Sequence, residues 1–475
     1  MKYLIGIDIG TSGTKTVLFD LDGNIIKSKT VEYPIYQPCN GWAEQNPEDW
    51  WNAVRETLEY AGTENVVGIG LSGQMHGLVM LDKDGVVIRP AIIWCDQRTS
   101  AECEEITEKV GKDRLIEISA NPALTGFTAS KIMWVKKHEP KNYAKCKHIL
   151  LPKDYIRYKL TGEFATDVSD ASGMQLLNVK NRVWSKEILE KLDIDSSLLP
   201  KLYESAQISG YYKNIPVAAG GGDNACAAVG CGVVASGKAF TTIGTSGVVY
   251  AHTDKPAIDS LGRVHTFCCA VPGKWHVMGV TQAAGLSLKW FRENFASELS
   301  YKEIDEIAKN VPPGADGLFY LPYLMGERTP HLDPDVRGAF MGISAAHEKK
   351  DFMRAVLEGV IYSLRDCLEV LREMNIPIDS MLAAGGGAKS ALWREIMADV
   401  FALPISVLLK SSGTGAALGA AILAGTAAGV YSSVECACEK LCISSQIQSP
   451  HNTDVYEKIY AKYHSIYPSI KNIFN

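Results

Sequence analysis

The pentapeptide Ile-Gly-Thr-Ser-Gly stands twice in this chain, at Ile9–Gly13 within LIGIDIGTSGTKTVLFD and at Ile243–Gly247 within AFTTIGTSGVVYAHT, about half of the 475-residue length apart. Each copy lies between two apolar runs, so each reads as the turn of a hairpin. The chain exceeds the roughly 250–300 residues at which one core stops growing. A repeated hairpin head at mid-chain therefore implies an α/β fold of two domains related by duplication, residues 1–236 and 237–475, packed across a cleft. No Pro/Ser-rich linker separates them, and the crossing near Ala235–Lys238 is direct.

The pattern behind each head supports the duplication. YLIGIDIG, TKTVLFD and IIKSKTVEY read as a strand meander; KAFTTIG, VVYAHT and VHTFCCAV-PGK-WHVMGV repeat it. Met353, Val356, Val360, Leu364, Leu368 and Leu371 then recur at helical spacing. A strand SMLAA, a helix ALWREIMADVF, a strand ISVLL and an uncharged Ala/Gly stretch from Ser411 to Val434 follow. That stretch carries a Gly415–Gly419 G-x-x-x-G pair, but its small residues transfer poorly into lipid, so it is read as a buried helix.

A Gly-Thr-Ser-Gly turn offers successive backbone N–H groups, two hydroxyls and no bulky Cβ, which suits phosphate oxygens. One copy alone is an ordinary hairpin turn. Two copies aimed into one cleft read as a grip on a single polyphosphate, through Gly10, Thr11 and Ser12 on one side and Gly244, Thr245 and Ser246 on the other, with Lys15 beside the first. Asp8 precedes the first turn where the second copy has Thr242. A carboxylate beside phosphates is repulsive unless a cation intervenes, so Asp8 implies Mg²⁺ held through water; the alternative is a hydrogen-bond acceptor within the hairpin. Gly386, Gly387 and Lys389, between a strand and a helix, would let a flat base lie on backbone, and adenosine is the expected occupant. ATP and Mg²⁺ are thus the expected cofactors. The G-x-G-x-x-G at Gly68–Gly73 is rejected as a dinucleotide fingerprint, because a strand rather than a helix follows it. No G-x-x-x-x-G-K-[S/T] occurs.

Asp223 follows three glycines and precedes a small-residue helix, with Asn224 beside it. Stripped of bulk on both sides, it reads as the base that meets an acceptor hydroxyl, against the alternative of a helix cap. Gln74, Met75 and His76, between glycines, suit a small polyol, and Asn224 is placed on the same ligand. Trp94, Asp96 and Arg98 suit a sugar wall, or equally a structural Asp96–Arg98 ion pair. The Gln74–His76 loop offers no cation, so a carboxylate substrate is expected to be poorly compensated.

A net charge of −6 argues against nucleic acid or an anionic membrane as partner. Twelve cysteines without a Cys-x-x-Cys pair fit a reducing cytoplasm. Cys436, Cys438 and Cys442 lack an evident fourth zinc ligand and read as packing residues. The N-terminus carries Asp8 inside its apolar run and does not read as a signal peptide. A homodimer is compatible with the sequence.

GFTASKIMWVKKH at Gly126–His138 and GAFMGISAAHEKKDFMRAVLE at Gly338–Glu358 resemble the two signatures of the FGGY carbohydrate kinases. SGQMHG, LPKDYIR, TGEFATDVSDASG, GGGDNA and GERTPH extend the resemblance over nearly the whole chain. It implies two actin/ribonuclease-H-like domains and ATP-dependent transfer of the γ-phosphate to O5 of D-xylulose. It also implies Asp223 as proton acceptor, Met75 and His76 as sugar contacts, Asp8 near metal and phosphates, and Thr245 near the γ-phosphate. Glycerol kinases carry an Arg-Glu pair where this chain has Met75-His76, so glycerol is not expected; D-ribulose and gluconate are the alternative acceptors. Folds of this superfamily also serve as nucleotide-switched scaffolds, a non-enzymatic alternative that would need no acceptor pocket.

Overall fold

Both Gly-Thr-Ser-Gly turns close antiparallel hairpins, and each hairpin begins a sheet. The computed structural model describes residues 1–408 and 414–474. In the first half, Tyr3–Ile9, Gly13–Asp20 and Ile25–Glu32 form the meander, and Val66–Gly73 adds in parallel on the other side of Tyr3–Ile9. In the second half, Gly237–Ile243, Gly247–Thr253, Trp275–Thr281 and His265–Cys268 run antiparallel, and Ile378–Gly385 adds in parallel beside Gly237–Ile243. The same order in two seven-stranded sheets is the duplication the repeated pentapeptide implied. The chain carries the two-domain, actin/hexokinase-like α/β fold.

The Gly68–Gly73 motif is not a turn at all: its three glycines lie inside the strand Val66–Gly73. Gly70 pairs with Gly6 on the neighbouring strand, and a Cβ on either would collide with a backbone carbonyl, of Ala420 or Ala417 respectively. Those carbonyls belong to the helix Gly415–Ala427, which is buried as expected but against the first sheet. The helix also packs on Asp223–Gly230, where a Cβ on Gly419 would strike the Cys226 carbonyl. Bare glycine on both sides thus admits a helix at backbone contact. Leu409 and Ser411–Gly413, at the ends of two expected elements, lie outside the described residues.

The second core is organised by the helix Lys349–Glu373, whose apolar positions are buried as their spacing requires. The C-terminal helix Thr453–Ile470 docks on it through tyrosines. Tyr456 Oη donates to Glu358 at 2.8 Å, and Tyr460 Oη donates to Asp366 at 2.6 Å. Cys438 and Cys442 turn their thiols to the Val229 carbonyl, at 3.2 and 3.5 Å, packing beneath Asp223–Gly230. No described helix is long and apolar enough to cross a membrane.

Candidate active site

Three parallel strand ends assemble the first wall of the site. Tyr3–Ile9 places Asp8 opposite Ser72 of Val66–Gly73, and Gly221 pairs with the same Ser72. The carboxyl ends of these strands therefore carry, side by side, the Gly10–Ser12 turn, the Gln74–His76 loop and Asp223. Ligands of open α/β sheets bind at such strand ends.

Asp8 accepts from Ser72 Oγ at 2.8 Å and faces Lys15 across the hairpin. Burial raises its pKa, against the lowering effects of Ser72 and Lys15. Asp223 opens its helix, with Gly222 in the cap position, so its side chain is not the N-cap. Its Oδ1 accepts from the Asn224 backbone N–H at 2.7 Å and from Asn224 Nδ2 at 3.1 Å. Burial, and then the charge of Asp8, push the Asp223 carboxyl up to about 7. Two mutually repelling carboxylates with hard oxygen donors suit a cation between them and a phosphate chain.

The first turn is held from behind. Tyr33 Oη donates to the Gly10 carbonyl at 2.6 Å, and Gln45 Nε2 to the Thr11 carbonyl at 2.7 Å. Gln74 is fully buried; its Nε2 reaches Gln45 Oε1 at 2.8 Å and the Gly10 carbonyl at 3.4 Å. Gln74 thus braces the turn through its Nε2, while its Oε1 is left without a partner among the described residues. Trp94 is nearly half exposed, and its indole N–H donates to Thr11 Oγ1 at 2.9 Å. Asp96 is fully buried, taking the Ala43 N–H at 2.6 Å and the Arg98 fork at 2.7 Å. The Arg98 guanidinium lies 3.8 Å from the Trp42 ring centre. Of the two readings left open, the packing is that of a structural ion pair, and Asp96 is not placed to touch a ligand.

Met75 packs where a Cβ on Gly222 would stand, next to Asp223. His76 follows with φ of +68°, a left-handed conformation. Its carbonyl is held by Thr128 Oγ1 at 3.0 Å and by Lys131 Nζ at 2.9 Å. The ring Nδ1 lies 2.9 Å from the Gly173 carbonyl. Burial, then Lys131, and more weakly Arg328, drop the imidazole to about 3, so it is neutral, donating from Nδ1 and free to accept at Nε2. Phe127, 4.7 Å from the imidazole, and Phe267 and His265 from the second half close the pocket around it. The loop itself supplies no cation, as expected; Lys131 and Arg328 come near it from other segments, and burial weakens the charge of both, pushing the Lys131 ammonium down to about 7.

The second wall is the nucleotide side. Pairing of Ile243 with Gly385 sets the second turn beside the glycine cluster. Gly244, Thr245, Gly386, Gly387 and Lys389 line one cavity of about 840 Å³, closed by Tyr301, Asp305 and Lys309 of the helix Tyr301–Ala308 and its end. The carbonyls of Gly244 and Thr245 accept from Gly285, Ala284 and Leu286 at 2.8–3.2 Å, which seats the turn on the head of the helix Gly285–Phe295. Ser246 stands exposed beside it. Helix Tyr301–Ala308, Phe127, His265 and Phe267 escaped the sequence reading because they meet the site only through tertiary packing. Lys131 and Arg328 sit in the GFTASK and GERTPH stretches, where spacing alone assigns them no role.

Two carboxylates at neighbouring strand ends, the ring-flanked His76 loop on one side and a glycine-lined cavity on the other suit a phosphotransferase. Residues 3–230 match the N-terminal domain, and residues 239–428 the C-terminal domain, of the FGGY family of carbohydrate kinases. Xylulose kinases from Bacillus subtilis (strain 168) and Lactococcus lactis subsp. lactis (strain IL1403) are 42% and 43% identical to this chain, over 88% and 87% of it and 87% and 86% of their own lengths. The crystal structure of a xyloylose kinase from Brucella ovis, 34% identical, superposes with a TM-score of 0.93 over 99% of this chain and 100% of that one. Sequence, fold and strand-end chemistry agree: the chain belongs to the FGGY family of carbohydrate kinases.

Proposed function

We propose that the protein transfers the γ-phosphate of ATP to the O5 hydroxyl of D-xylulose, with Asp223 as proton acceptor. The observation that carries this is the placement of Asp223 between the Met75–His76 pocket and the carboxylate of Asp8. In this reading His76 Nε2 accepts from a sugar hydroxyl, and Asn224 holds Asp223 in place while facing the same ligand. As O5 attacks the γ-phosphorus and the bond to the β-phosphate oxygen breaks, the O5 proton passes to Asp223. Gly10–Ser12 with Lys15 and Gly244–Ser246 hold the phosphates, and Gly386, Gly387 and Lys389 the adenosine. Mg²⁺, held through water near Asp8, would offset the charge of the phosphate chain.

The residues 1–236 and 237–475 are read as the two jaws of this site. With the charge of Lys131 and Arg328 weakened by burial, a carboxylate near His76 is only partly compensated, and the case for a ketose is supported further by the two xylulose kinase relatives. Glycerol, with three carbons, is expected to make fewer contacts with His76 and Asp223 together than a ketopentose does. The test is a coupled assay of ADP release with D-xylulose, D-ribulose, gluconate and glycerol. D-Xylulose is expected to show the highest kcat/KM. One misplaced hydroxyl in D-ribulose costs about 1–3 kcal/mol, roughly ten- to a hundredfold. Highest efficiency on gluconate would overturn the assignment, and ADP release indifferent to any sugar would favour a nucleotide-switched scaffold.

A further inference from the structure

Asp223 stands at the end of a segment with no side chains of its own. Gly220, Gly221 and Gly222 precede it, Gly220 with φ of +73°. Glycine loses more conformational freedom on folding than any other residue, so the position of the Asp223 carboxylate depends on what holds those peptides from outside. On one side Gly221 and Gly222 pair with Ser72 and Gly73. The other side is held by side chains of LPKDYIR and TGEFATDVSDASG, stretches to which the reaction as drawn gives no role.

Asp167 is the centre of that hold. Its Oδ2 accepts from the Ser169 backbone N–H at 2.8 Å, from the Ser169 hydroxyl and from Ser205 Oγ at 2.9 Å. With its proton committed to Asp167, Ser169 Oγ accepts the Gly222 N–H at 3.3 Å, and the Ser205 carbonyl accepts the Gly220 N–H at 3.0 Å. Arg157 donates to the Ala219 carbonyl just upstream. Behind Asp167 lies Lys153, its Nζ 2.8 Å from Asp167 Oδ1, 2.6 Å from Asp154 Oδ1 and 3.2 Å from Asp170 Oδ2. Every side chain in this network is fully buried. Burial opposes the Lys153 charge, but the three carboxylates outweigh it and hold the ammonium charged. A buried ion cluster is weak evidence for stability, because apolar residues of like volume often serve as well. This one is accounted for by what its ends hold, the backbone leading to Asp223. Glycine leaves room for it: a Cβ on Gly221 would stand 3.0 Å from Ser169 Oγ, and one on Gly73 2.9 Å from Lys153 Cβ.

We propose that Ser169, oriented by Asp167 and Lys153, is a positioning residue that fixes the peptide before Asp223 and so aims its carboxylate at the acceptor hydroxyl; this rests on the reading of Asp223 as proton acceptor. The test is a double-mutant cycle of Ser169→Ala with Asp223→Asn, read as ADP release from ATP and D-xylulose, with circular dichroism as the check on folding. Ser169→Ala alone should lower kcat by about 10–100-fold, the scale of a reacting group misplaced by about 1 Å, with the KM for D-xylulose and for ATP each within about twofold. In the Asp223→Asn background the same change should cost no more than about threefold, because the group it positions no longer acts. If Ser169→Ala does not fold, Ser169→Cys, close in size but only a weak acceptor, takes its place in the cycle. An equal fall in both backgrounds, or a folded Ser169 variant with the kcat of the wild type, overturns the proposal and leaves Asp223 as the base. Full turnover by Asp223→Asn, or a wild type inert toward D-xylulose, overturns the underlying reading first and this one with it.

Discussion

At the scale of single residues, Asp223 joins two demands that pull apart. A base must be deprotonated to act, yet burial and Asp8 hold its carboxyl near 7. The kcat/KM for sugar should therefore rise with pH through about 7 and flatten above it, and a profile flat from pH 5.5 to 8 would remove Asp223 as the base. Asp223→Asn should keep both ligands bound while turnover falls by about 10²–10⁴-fold. The same substitution should change stability with a defined sign. A carboxyl raised in the folded state contributes stability that is present at acidic pH and lost as pH rises through its folded value. The Asn variant should thus melt higher than the wild type at pH 8.5, with the gap closing toward pH 5. That Asp223 and the Met75–His76 loop would meet at neighbouring strand ends was legible only in part: the glycines before Asp223 and around Met75–His76 marked bare backbone, but not which strands would bring them together. Which way Gln74 and Asp96 face was not legible, because polarity near a pocket does not say whether a side chain points to ligand or to the back of a loop; Gln74 Nε2 lies on Gln45 and the Gly10 carbonyl, and Asp96 on Arg98 and the Ala43 N–H.

Among the elements, the uncharged helix Gly415–Ala427 shows what composition can and cannot convey. Small residues without charge foretold close packing against backbone, and that is what it does. Which backbone it meets was hidden, because the partners Gly6 and Gly70 lie in the opposite half of the chain and interrupt otherwise ordinary strands. The two glycines of its G-x-x-x-G pair now separate cleanly. A Cβ on Gly415 meets nothing within 4 Å, whereas one on Gly419 strikes the Cys226 carbonyl. Urea denaturation should find Gly415→Ala within about 1 kcal/mol of wild type, since Ala gains helix propensity there. Gly419→Ala should lose about 1–3 kcal/mol or more, as overpacking does. It should also depress turnover, because the displaced partner is the helix that opens with Asp223. Equal stability of the two variants would mean that the glycine pair does not set the approach of these helices.

For the whole molecule, the repeated turn was the most informative stretch of sequence, since it predicted two sheets of one order and a ligand between them. The phosphate turns belong to different halves, so a ligand that touches both should draw them together and exclude water, which would otherwise accept the phosphate. Small-angle scattering should show a smaller radius of gyration with D-xylulose and a non-hydrolysable ATP analogue together than with either alone; an unchanged radius would count against two moving jaws. The helix Gly415–Ala427 bears on the making of the protein as well as on its working. The trench floored by Gly6 and Gly70 is built from residues made long before the helix that fills it, which is complete only at residue 427. At about 5–20 residues per second, the first half waits roughly 10–40 s after its own last residue before its sheet can be covered. During that interval the face of the sheet that the helix will cover is left without its packing partner.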